Sequence, residues 1–172
     1  MRDTLILIAL GLAAIVVGAL VYFLGGGSTS VSQTAAAPES ATSMTSVPVA
    51  ALAVGTQSLV TTPTNFLITS QSELERLWGM TDASGQVPQV DFRTHSVLAV
   101  FAGQEPTAGY SIAVSKVDDS LSERVVTITL TRPGGSCVVG QVATAPYELV
   151  SVASTTLPLT HATVESTASC LQ

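Results

Sequence analysis

Leu5 to Leu24 reads LILIALGLAAIVVGALVYFL, twenty residues without a charge or a proline. At 1.5 Å rise per residue such a helix is about 30 Å long, the thickness of a bilayer hydrocarbon core. A helix satisfies its own backbone hydrogen bonds in lipid, so this is the form the run is expected to take. Tyr22 lies near its outer end, where an amphipathic ring suits the interface. Arg2 precedes the run, and no Lys or Arg follows before Arg76. The charge bias therefore places residues 1–4 in the cytoplasm as a short stub and the rest of the chain outside, in the periplasm or beyond the cell. A cleaved signal peptide is the competing reading. It would have an apolar region of roughly 7–15 residues and a small-x-small cleavage site. This run is longer and ends in Tyr22-Phe23-Leu24 before Gly25-Gly26-Gly27, so residues 5–24 are read as an uncleaved, single-pass transmembrane anchor.

Residues 25–53 are mostly Gly, Ser, Thr, Ala, Gln and Pro, with Glu39 the one charge. Such a stretch buries too little apolar surface to offset its ordering entropy, and it reads as a flexible linker. Residues 54–172 carry the pattern of a folded domain. The whole chain is 10% charged with a formal net charge of -6, against roughly 25% charged in an average soluble domain. Six Lys and Arg in total cannot form the basic patch that phosphate backbones or anionic lipids require. Nucleic acid is thus excluded as a partner, and attachment to the membrane rests on the N-terminal helix.

Within the domain, Asn65 to Ile68 is a short apolar run suited to a strand. Ser70-Gln71-Ser72-Glu73 has the form of a capping box, and Leu74, Leu77 and Trp78 follow at helical spacing, with Gly79 as the stop. A helix this short needs a sheet beneath its apolar face. Val97 to Phe101 is continuously apolar, as in a central strand. Tyr110 to Val117 alternates, and Arg124 to Thr131 alternates with Val126, Ile128 and Leu130 on one side. Tyr147 to Val152 is a further strand and Leu159 to Val164 another candidate. Asp118-Asp119-Ser120 reads as a solvated turn tip. The expected fold is mainly β, a β-rich α+β domain of about five to seven mostly antiparallel strands with one short helix, sandwich-like or barrel-like. Phe101 and Tyr147 are expected in its core.

Cys137 and Cys170 are the only cysteines and lie on the outer side of the anchor. An even number in an oxidising compartment points to a disulfide. Neither has a basic neighbour to activate it, and no CxxC is present. His95 and His161 share no ligand spacing with them, so no metal site is read, and no cofactor motif is found. Both histidines read as surface or strand-edge residues. The chain has no GxSxG elbow and no HExxH, and no catalytic residue is assigned.

One loop departs from generic turn composition. Glu105-Pro106-Thr107-Ala108-Gly109-Tyr110 leaves an apolar strand and re-enters another, with φ fixed at Pro106 and positive φ permitted at Gly103 and Gly109. Two readings stand beside each other: a tight connection that serves only the fold, or a rigid recognition loop. Val97-Leu98-Ala99-Val100-Phe101-Ala102-Gly103, Pro106 to Ile112, and Ala145-Pro146-Tyr147-Glu148-Leu149-Val150 together resemble the PrcB C-terminal domain family over residues 90–165. Ala108 stands where that family usually has Gly. The resemblance implies a non-enzymatic accessory domain, exported or membrane-anchored, that binds an envelope protein such as a protease. Pro106, Thr107, Gly109 and Tyr110 are also similar to the wedge loop of chagasin-like protease inhibitors. That likeness implies direct inhibition through the loop, although the aromatic expected after Arg132-Pro133-Gly134 is missing. A purely structural envelope domain is the third reading.

Overall fold

The strongest strand signals lie in the middle of the chain, and the sheets are built outward from them. The computed structural model describes residues 43–170; the anchor read at 5–24 lies outside them, and among the described residues no helix is long and apolar enough to cross a membrane. The elements are β1 (Thr45–Ser46), β2 (Val49–Gly55), β3 (Thr64–Ile68), α1 (Gln71–Trp78), β4 (His95–Phe101), β5 (Ser111–Asp119), β6 (Arg124–Pro133), β7 (Tyr147–Ala153) and β8 (Leu159–Ala168). They form two four-stranded sheets, one ordered β1-β5-β6-β8 and the other β2-β7-β4-β3.

The continuous apolar run of β4 is explained by burial on both faces. Val97, Ala99 and Phe101 pack with Leu74, Leu77 and Trp78 of α1. Leu98 and Val100 pack against Val114, Val117, Val126 and Ile128 of the other sheet. β7 divides in the same way, with Tyr147 and Leu149 towards the helix and Val150 and Val152 towards the opposite sheet. The domain is therefore three layers deep: helix and loops, the β2-β7-β4-β3 sheet, then the β1-β5-β6-β8 sheet. Phe101 and Tyr147 are at most 1% exposed, with their rings stacked at 5.9 Å.

Ser70 caps α1 through its hydroxyl, which accepts the Glu73 N–H at 3.4 Å. The Glu73 carboxylate reaches back to the Thr69 N–H at 3.0 Å, one residue before the cap. That bond is the largest cause holding Glu73 below its ordinary pKa.

The strands are mostly antiparallel, as expected, and three findings correct or qualify the rest. Strand pairing starts at Thr45, inside the stretch 25–53 read as linker. β2 is the sequence VAALAVG, whose small residues give no bulky alternation. Its order comes from pairing along β7, from Val49 opposite Val152 to Gly55 opposite Tyr147, rather than from intrinsic strand preference. Second, β8 runs parallel to β6, with Arg124 opposite Leu159 and Pro133 opposite Ala168. β7 intervenes in the other sheet, so the chain returns in the same direction instead of turning back as a hairpin. Third, Asp118 and Asp119 end β5 and are not a solvated tip. Asp118 is 6% exposed and pairs with Lys116 at 2.8 Å.

Asp119 binds Arg124 with both carboxylate oxygens, at 2.6 and 2.8 Å. The guanidinium is buried and also donates to the Ala153 carbonyl at 2.5 Å. This cluster ties the β5–β6 hairpin to the end of β7 and holds the Asp119 carboxyl below its usual range. On the inner face of β7, Glu148 reaches across to the other sheet and accepts the Val114 N–H at 2.6 Å, next to the β5 bulge. Burial raises its pKa, and the Val114 bond offsets part of that rise.

These opposite shifts set a pH optimum. Glu148 and Glu105 are raised from 4.5, so folding disfavours their ionised forms. Stability grows as pH falls through their folded pKa values, and the gain is complete below 4.5. Asp119 is lowered from 3.8 and Glu73 from 4.5. Their contribution is present above those values and is lost as pH falls through the lowered folded pKa. Thermal unfolding followed from about pH 8 to about pH 3 should show maximum stability on the acid side of neutrality. In Glu148→Gln the rise from neutral pH towards 4.5 should flatten.

Candidate functional site

Glu105 to Tyr110 lie at one end of the sandwich, on the connection from β4 to β5. Gly103 starts the turn at φ +81°, and a Cβ there would sit 2.8 Å from Cδ and N of Pro63. Both the conformation and the space demand glycine. Gly109 closes the turn at φ +90°, and a Cβ there would lie 3.0 Å from Cγ1 of Val139. No non-glycine residue among those described has positive φ. Ala108 is therefore comfortable where glycine would be usual.

Residues 134–146, the β6–β7 connection, lie alongside. Glu105 and Thr144 exchange backbone bonds at 2.8 and 3.0 Å, and Ala108 N–H donates to the Gly140 carbonyl at 3.0 Å. The Thr144 hydroxyl donates to the Thr107 carbonyl at 3.0 Å. The Gln104 N–H bonds Thr61, and the Ala102 N–H bonds Pro146, each at 3.0 Å. The second connection is itself fastened. Cys137 and Cys170 are joined by a disulfide with Cα atoms 5.3 Å apart, and the Gly134 N–H donates to the Ala168 carbonyl at 3.1 Å. Two loops thus brace one another, and the disulfide ties the pair to the end of β8.

Pro106 and Gly109 are exposed, while Glu105, Thr107, Ala108 and Tyr110 are half-buried. The neighbouring loop adds Val138, fully exposed, and Val142 at 57%. The result is a braced platform with valines and a proline in solvent, and neither a free protruding tip nor a loop folded wholly into the core. Burial raises the Glu105 pKa, with Arg132 partly offsetting it. Arg132 itself is paired with Glu165.

The structure brings together Glu105 to Tyr110 and, separately, the two cysteines. The sequence reading missed the contribution of residues 138–144; their one signal was Cys137 beside a glycine-rich turn. His95 is exposed at the start of β4, with Nδ1 3.0 Å from the Thr94 hydroxyl, and His161 is exposed on β8. Among the described residues no three His, Cys, Asp or Glu side chains gather as metal ligands would.

No curated protein and no solved structure matches the chain. Residues 96–153 match the family model described as PrcB C-terminal. That segment runs from the start of β4 to the end of β7. It contains the central strands of both sheets and both loops of the platform, and it leaves out β1–β3, α1 and β8. Over that segment, about a third of its length, the chain is similar to the PrcB C-terminal domain family.

Proposed function

We propose that this chain is a non-enzymatic protein-interaction module, held to a membrane by residues 5–24 with its β-rich domain outside the cytoplasm. Its partner on this reading is an envelope protein, with a protease the first candidate through the family match. The observation that carries the proposal is the platform. Its backbone is locked by the Glu105–Thr144 and Ala108–Gly140 bonds, while Pro106, Val138 and Val142 remain in solvent. A preorganised apolar surface loses little entropy on binding, and recognition sites are commonly loops fixed by a rigid scaffold.

A photo-crosslinking residue at Val138 of the full-length chain, in its native envelope, tests this reading. One dominant crosslinked protein should be recovered, and it should be lost in a Pro106→Ala/Thr107→Ala variant whose thermal unfolding is unchanged. A partner indifferent to that variant, or none, would leave the platform as turn chemistry serving the fold.

A further inference from the structure

The free sheet edges of this domain are protected unequally. β1 is only two residues long, and β2 is interrupted by a bulge between Ala51 and Ala53. The open length of β5 has a bulge between Val114 and Lys116, and the Glu148 carboxylate caps its Val114 N–H. β8 carries His161 and Glu165. Short strands, bulges and charges are the devices that keep edges from pairing with other chains. β3 has none of them. TNFLI contains no charge and no proline, and its pairing with β4 is unbroken from Thr64–Phe101 to Ile68–Val97.

This unguarded edge also exposes apolar side chains. Phe66 is 39% exposed, Leu67 52% and Met80 37%. A groove of about 410 Å³ runs beside them between β3 and α1, and Glu73 and Arg76 stand on its rim. The rim thus carries one acid and one base around an apolar centre. A two-fold axis requires the same patch on both sides, with each residue meeting its counterpart's partner. An apolar centre with one charge of each sign meets that requirement, and an antiparallel strand edge can pair with its own rotated image. An acidic or a basic partner would each find one matched and one opposed charge.

We infer that two copies of this chain associate through β3. Antiparallel β3–β3 pairing would join two four-stranded sheets into one of eight strands, with Glu73 of each copy facing Arg76 of the other.

The test uses the full-length chain in detergent micelles, with a photo-crosslinking residue at Asn65, which is exposed on β3. The expected result is a crosslinked dimer whose linked peptides map to 64–80 of the second copy. Leu67→Lys places a guarding charge on an already exposed position and should lower the yield by about tenfold or more. Arg76→Glu should also lower it, by opposing like charges across the axis. At dilutions where the parent is monomeric, both variants should unfold at the temperature of the parent chain. The proposal is overturned if Asn65 gives no homodimer crosslink, if it captures a different protein instead, or if the dimer survives Leu67→Lys and Arg76→Glu with its crosslinks unchanged.

Discussion

Asp119→Ala should destabilise the domain more than Arg124→Met, although the two residues share one ion pair. The Arg124 side chain is 4% exposed and the Asp119 side chain 26%. Removing the acid strands a buried guanidinium with the Ala153 carbonyl as its remaining partner, and breaking a buried pair in this way costs about 3–5 kcal/mol. Removing the base leaves a carboxylate that water can reach, while methionine keeps much of the arginine's apolar volume. The cost is then nearer the about 1–3 kcal/mol of a lost hydrogen-bonded partner. Urea unfolding of the two variants beside the parent decides this order. Equal losses would mean that the guanidinium finds another partner and that the cluster is less committed than its geometry indicates. Arg93, whose side chain is 91% exposed beside Asp91, is the natural control, since exposed pairs contribute about 0–1 kcal/mol.

The second large effect is expected at the disulfide. Cys137 and Cys170 are 33 positions apart, and closing a loop of that length restrains the unfolded chain by about 3–4 kcal/mol on the chain-entropy account. The Cys137→Ser/Cys170→Ser variant should lose about that much stability in denaturant unfolding. It should also change the platform locally. Gly140 and Thr144 brace Ala108 and Glu105, and their loop would keep only the Gly134–Ala168 bond to the end of β8. Hydrogen exchange at the Ala108 amide should therefore quicken by more than global destabilisation alone explains. An amide that follows only the global change would show the two loops bracing each other without the bridge.

Much of this architecture could be read from the residues. Strong period-two alternation located β6, a run of five apolar residues located β4, and a serine followed three residues later by glutamate located α1. In each case local chemistry and tertiary demand coincide. The failures are equally specific. β2 is ordered by its partner and so left no mark of its own. The direction of β8 depends on which sheet β7 joins, a long-range fact that no window of sequence contains. Asp118 and Asp119 resemble a polar turn until Arg124 is placed beside them. At the site, the Glu105–Tyr110 loop stood out through Pro106, Gly103 and Gly109. Its bracing neighbour, 138–144, did not, because its bonds to the first loop are largely made by backbone atoms that every sequence supplies.

The parallel pairing of β8 with β6 also sets an order of events in time. Each residue of β8 meets one made 35 positions earlier, so a chain emerging N-terminus first holds β6 with one edge open until residue 168 has followed. During that interval Val126, Ile128 and Leu130, in step with Arg124 and Gly134 whose N–H groups donate to the β8 side, display unsatisfied strand edge to whatever is nearby, and late closure through distant contacts is slow. The nascent chain is therefore open to aggregation and cleavage along this edge until β8 has been made. Lengthening the Ser154–Pro158 connection would prolong that exposure even where the finished domain is equally stable.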